Sequence, residues 1–170
     1  MRQLVYGCWL IGFAGHIASL SILPERVAMH FGFNGAPNGW GSLQVHVALM
    51  IGLQTFMLLM MAGLPWIVRK TPREMVNIPN RDYWLADERR EETVIRIGEH
   101  CLVLSLMLQV FFVALGLCIG VANLSDPVWL PQEIFLTVIA AFLFGVTTWC
   151  VQLCRAFRVD KDAASQPTTE

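Results

Sequence analysis

Apolar residues fall in four long blocks, and the charges are confined to the stretches between them. No Lys, Arg, Asp or Glu occurs from Gln3 to Leu23, Ser42 to Val68, Cys101 to Ala122 or Ile134 to Leu153. Each block is about 20 residues or longer, the length that a helix rising ~1.5 Å per residue needs to cross a ~30 Å hydrocarbon core. Lipid offers no partner to backbone N–H and C=O groups, so a lone block can cross only as a helix. The pattern predicts an all-α integral membrane four-helix bundle in one domain, 1–158, with spans near 3–23, 42–68, 97–122 and 133–155. A polar tail over 159–170 reads as disordered.

The charges orient this bundle. Arg69, Lys70, Arg73, Arg81, Arg89, Arg90 and Arg96 lie between the second and third blocks. Arg2 precedes the first block, and Arg155, Arg158 and Lys161 follow the last. Only Arg26 falls in the first connection, and none in 123–133. The bias of basic loops toward the cytoplasm then predicts an N-in/C-in chain, with the third helix extended into the cytoplasm. A cleaved secretory signal is the rival for the first block, but that block exceeds the usual 7–15 apolar residues of a signal core. The formal net charge of -1 gives nucleic acid no basic face to bind. The five cysteines fall at or inside the apolar blocks without a C-x-x-C, so neither a disulfide framework nor a redox motif is indicated.

Local signals refine the connections. In the first block Gly12, Gly15 and Ser19 share a helix face, which predicts close packing on a neighbour. The connection 23–42 carries turn chemistry at Asn34-Gly35 and Pro37-Asn38-Gly39, with Phe31, Phe33 and Trp40 as interfacial aromatics. It reads as an ordered outer loop laid on the membrane surface. Between the second and third blocks, breakers at Thr71-Pro72 and Ile78-Pro79-Asn80 precede a helix expected from Trp84 or Leu85 onward. Asp87 and Glu88 would sit in its first turn, Glu92 would pair with Arg96, and Glu99 with Arg96 or Arg69.

The outer loop has the form Leu23-Pro24-x-x-Val27-x-x-His30-Phe31-x-x-x-Gly35-x-Pro37-x-Gly39-Trp40-Gly41-Ser42. This resembles a bacterial membrane family of unknown function related to the SdpI immunity proteins, which protect cells against a sporulation-delaying toxin. The likeness covers roughly residues 8–65. The segment Asn77-Ile78-Pro79-Asn80-x-x-Tyr83-Trp84-Leu85-Ala86-x-Glu88-Arg89-Arg90 is similar to a cytoplasmic motif of some members, which often have Pro where this chain has Asp87. The resemblance implies a non-enzymatic protein of the bacterial inner membrane, with recognition at the outer loop and a protein partner at the cytoplasmic helix. The pattern of the later SdpI spans is not found in this chain.

Candidate residues follow. Glu25, Arg26, His30, Asn34, Asn38, Trp40 and His46 form an outer ligand-binding set, with Asp126 or Glu133 available from the second outer loop. His30 and His46 with a carboxylate could hold a divalent metal, since neutral imidazole is a common ligand. The simpler reading is that His30 caps the loop and His46 bonds a backbone carbonyl, and the expectation is no metal and no other cofactor. His16 is an ionisable group inside a span, hence a functional candidate by default or a partner for a carbonyl on the next helix. With Gln54 and Gln109 it could line the path of a small transporter, which at four spans would require a homo-oligomer. Glu99, His100 and Cys101 with Cys8, Cys150 and Cys154 hold the pieces of an inner zinc site, although sulfur is also an ordinary packing group. The cytoplasmic motif residues Asn77, Pro79, Asn80, Tyr83, Trp84, Glu88, Arg89 and Arg90 are candidates for a partner surface. No nucleophile elbow, phosphate loop or H-E-x-x-H occurs, so catalysis has no residue set to rest on.

Overall fold

The computed structural model describes residues 1–159; the tail expected to be disordered lies, from 160 onward, outside the described residues. The elements run α1 (Arg2–Ser19), β1 (Arg26–Phe31), β2 (Pro37–Ser42), α2 (Leu43–Lys70), a 3-10 turn at Arg73–Met75, α3 (Arg81–Trp84), α4 (Arg90–Leu124) and α5 (Gln132–Ala156). α2, α4 and α5 are each long and apolar enough to cross a membrane, which fits a multi-pass membrane protein. α1 falls short of them. Its 18 residues make ~27 Å of helix, and Arg2, Gln3 and His16 dilute its apolar content. It stops at Ser19 instead of reaching Leu23, because the chain tightens into turns where Leu20 and Ser21 bond back to Ile17 and Ala18. α4 is the central element and packs against α1, α2 and α5.

The molecule is not all-α. β1 and β2 form an antiparallel hairpin with Val27 opposite Gly41 and Ala28 opposite Trp40, and the register shifts between Ala28 and Phe31. The turn explains why this stretch leaves the helical state. Gly35 takes φ +82°, which Gly alone adopts freely, and the Asn34 side chain accepts from the Ala36 N–H at 3.1 Å. Gly39 and Gly41 then leave room for the opposing side chains. A Cβ at Gly39 would stand 3.0 Å from His30, and one at Gly41 would strike Met29.

The hairpin is held to the helices through its backbone. The Asn123 Oδ1 at the end of α4 accepts from the Ala28 N–H at 2.7 Å, while its Nδ2 donates to the Ala28 carbonyl at 3.0 Å and to Ile119 at 2.9 Å. One side chain thus supplies the donor and acceptor that a third strand would have offered to β1. Leu130 donates to the Gly35 carbonyl at 2.9 Å and Gln132 to that of Phe33, so the 125–131 connection and the first residue of α5 grip the turn. Beneath, Val27 packs with Leu43 and Val47 of α2, and Phe31 lies against Cys118, Ala122 and Leu130. The loop therefore seats on α2 and α4.

At the opposite, basic end, the long helix starts at Arg90, later than the expected Trp84 or Leu85. Asp87 and Glu88 precede it, and Glu91 and Glu92 occupy its first turn. The reason is packing. A separate short α3 and a corner at 85–89 let Trp84 and Leu85 turn inward, where Trp84 meets Phe157 edge-on at 5.5 Å. Thr93 locks the corner by donating to the Trp84 carbonyl at 2.6 Å. Arg96 pairs with Glu92 at 2.9 Å as expected, and Arg69 pairs with Glu91, so neither arginine serves Glu99.

Losing the Asn123 amide leaves two backbone groups of Ala28 unpaired in a buried position. Asn123→Ala is expected to cost roughly 2–6 kcal/mol, at about 1–3 for each orphaned group, and to raise amide exchange at Ala28 first. Hydrogen exchange read alongside thermal unfolding checks this; unchanged protection at Ala28 would show that the hairpin seats without the amide.

Candidate functional site

Two cavities lie at the hairpin end, and His46 lines both. The larger, about 710 Å³, sits between the hairpin, α2, α4 and α5 and draws His30 and Asn38 from the hairpin, His46 from α2 and Gln132 and Phe135 from α5. The smaller, about 320 Å³, lies between α1 and α4 and includes Gly15, His16, Ser19, His46 and Gly116. Of the outer set, three residues meet in one cavity: His30, Asn38 and His46. The others serve elsewhere. Glu25 accepts the Leu43 N–H through its backbone at 2.8 Å, Arg26 opens β1 on the surface, Asn34 builds the turn, and Trp40 is exposed on β2.

His46 sits at the first turn of α2 because Ser42 starts that helix, accepting the Val45 N–H at 3.4 Å. Positions 46, 50, 54 and 58 then share the buried face of α2, by the i, i+4 repeat. This places His46 and Gln54 toward α1 and α4. His16 lies on the corresponding face of α1 against Gly116, where an added Cβ would come within 2.7 Å of the ring. Gly12 makes room for the Gln54 amide in the same way. The small-residue face of α1 is accordingly split: Gly12 is filled by Gln54, whereas a Cβ at Gly15 would meet nothing within 4 Å. The expectation of close packing fails at Gly15.

A polar file continues inward from the two histidines. Gln109 donates to the Gln54 backbone carbonyl at 3.3 Å, and Ser105 lies one turn beyond on α4. His16 Nε2, both Gln54 amide atoms, Gln109 Oε1 and Ser105 Oγ are buried without a hydrogen-bond partner among the described residues. A buried polar atom without a partner costs about 1–3 kcal/mol, so this file opposes folding stability. The sequence marked His16, Gln54 and Gln109 but not Ser105, whose one signal is its i, i+4 spacing from Gln109.

The metal arrangement is not assembled. His30 and His46 border one cavity, yet among the described residues no group of three or more His, Cys, Asp or Glu is placed to hold an ion. Nor do the inner cysteines converge. Cys101 is buried in the cluster of Trp84, Ile97 and Phe157, whereas Cys150 and Cys154 lie exposed on α5. His100 instead accepts the Trp149 indole N–H through its carbonyl at 2.9 Å.

The motif at the basic end acts as an internal fastener. Asn80 and Trp84 both donate to the Phe157 carbonyl, at 2.8 and 3.0 Å, and Arg96 donates to Ala156 at 2.8 Å while lying over the Trp84 ring. Arg90 donates to the carbonyls of Val68, Arg69 and Thr71 at the end of α2. Cations thus meet the unpaired carbonyls and negative dipole ends of α2 and α5. Arg89 lies over the Tyr83 ring at 4.0 Å. Asn77, Pro79 and Glu88 remain exposed.

Residues 8–55 match a family described only as a domain of unknown function (DUF1648). That segment contains α1 from Cys8 onward, the whole hairpin, and nearly half of α2, the part carrying His46 and Gln54. Comparison with curated proteins and with solved structures yields no match.

Because the Gln54 amide is orphaned, Gln54→Met should raise stability by about 1–3 kcal/mol, seen as a higher unfolding midpoint in detergent. A lower midpoint would show that the amide has a partner that matters to the fold.

Proposed function

We propose that this is a non-enzymatic, four-span protein of the bacterial inner membrane, with both termini cytoplasmic, that binds a ligand from the outer side in the cleft beneath its hairpin. The observation that carries this reading is the cavity of about 710 Å³ lined by His30, Asn38 and His46 from separate elements. Its size lies within the roughly 300–1,000 Å³ typical of ligand pockets, and apolar walls with few polar groups suit selective binding. The hairpin is already fastened by Asn123, Leu130 and Gln132, so little ordering entropy is lost on binding. Exposed Phe33, Trp40 and Trp129 extend the surface for a bulkier ligand, in keeping with the immunity-like recognition that the SdpI resemblance suggests.

The orientation follows from the basic residues between α2 and α4 and at both chain ends. α1 completes the fourth span by packing against α2 and α4, which shelters His16 from lipid. On the cytoplasmic side, Asn77, Pro79 and Glu88 with the first turns of α4 offer a face for a protein partner. A second reading, a small transporter, draws support from the partnerless file of His16, Gln54, Gln109 and Ser105. α5 has no fully buried residue, so a homo-oligomer could form along it.

Two measurements test the binding reading. In a cysteine-free background, Asn38→Cys should label from outside intact cells and Asp87→Cys only after permeabilisation; the reverse pattern inverts the topology. In a deletion strain, His30→Ala should fail to restore the wild-type phenotype at unchanged membrane abundance. Full restoration would remove the cleft from the function.

A further inference from the structure

The cavity between α1 and α4 differs in kind from the cleft under the hairpin. It reaches the molecular surface between the exposed side chains of Ile11 and Leu117, on the flank that faces lipid if α1 spans the bilayer. Its walls carry Gly15 on α1 and Gly120 on α4, and at either position a Cβ would meet nothing within 4 Å. At its depth His16 is only 6% exposed and His46 5%, and the His16 Nε2 has no partner among the described residues. Ser19 does not supply one, since its hydroxyl donates to the His16 carbonyl at 2.6 Å. The space, about 320 Å³, stands near the lower limit for a small-molecule pocket. A helix, about 10–12 Å across with its side chains, is too bulky for it.

We infer that this cavity is a second binding site, for a lipid-soluble molecule whose apolar body lies between α1 and α4 and whose carbonyl or carboxyl oxygen bonds to His16, with His46 bordering the same space. The inference is separate from ligand recognition at the hairpin and rests only on α1 being a span, which Arg2→Cys tests by itself in the same labelling, since it should react only after permeabilisation. A neutral imidazole carries one donor and one acceptor nitrogen. A buried imidazole nitrogen without a protein partner therefore selects a ligand that brings a hydrogen-bonding oxygen into an apolar space. A plain hydrocarbon would leave that nitrogen orphaned and gain nothing from it. Two membrane-borne sources share the required chemistry: a fatty acid through its carboxyl, and a quinone through its ring carbonyl.

The test uses full-length protein with 15N-labelled histidine in lipid nanodiscs, titrated separately with dodecanoic acid, a decyl-substituted benzoquinone and dodecane. The expected result is a saturable shift of the His16 and His46 resonances with the acid or the quinone, whichever binds naming the source, and none with dodecane. Gly120→Leu fills the cavity from α4 and Gly15→Leu from α1, and each should weaken binding by at least about tenfold through steric exclusion. Gly52→Leu, at an open position on α2 outside the cavity, should leave it unchanged. Absence of a saturable shift with both oxygen-bearing probes overturns the proposal. So does an equal response to dodecane, or full binding in a folded Gly120→Leu or Gly15→Leu protein.

Discussion

Backbone groups that have no water to turn to must find partners inside the chain, and the whole architecture answers to that demand. A two-stranded hairpin beside long apolar helices has a free edge, and its Ala28 N–H and C=O would be orphaned there. Asn123 meets both with one amide. At the other end the unpaired carbonyls at the ends of α2 and α5 meet the same difficulty, and Arg90, Arg96, Asn80 and Trp84 resolve it. These contacts fix how the hairpin, α2, α4 and α5 enclose the larger cavity, because each of its walls belongs to an element tied down in this way.

The sequence disclosed the helical blocks well and their junctions less well. The spans expected at 42–68, 97–122 and 133–155 anticipated α2, α4 and α5 within a few residues at most ends, since apolar length is a property of composition. α4 alone runs markedly further at its start, to Arg90. The Asn34-Gly35 signal marked the turn, but not that the flanking stretches would pair as strands. That depended on Gly39 and Gly41 making room for His30 and Met29 across the pair, which is tertiary information. The early helix start at Trp84 failed for a related reason: local propensity favoured helix through 85–89, and burial of Trp84 against Phe157 outweighed it.

The site was legible in part. His16, His46, Gln54 and Gln109 stood out as polar groups in apolar blocks, and the fold brings them onto facing helix surfaces. Asn123 was invisible because an Asn ending an apolar block looks like a loop residue; only the partner on β1, 95 positions away, reveals its part. The basic-end motif shows the converse. Its tryptophan and arginines resemble recognition residues in sequence, and the structure finds much of their hydrogen-bonding capacity directed at the chain's own helix ends.

α4 is unbroken for 35 residues, about 52 Å, and holds the Ala28 strand at Asn123 while carrying Thr93 and Arg96 at its far end. It is a stiff lever with a fastening at each extremity. Pivoting it by about 5° at the hairpin would sweep the arginine-bearing end through roughly 4–5 Å for a rod of this length. That exceeds the reach of a hydrogen bond, so such a tilt would be felt as broken bonds at the basic end.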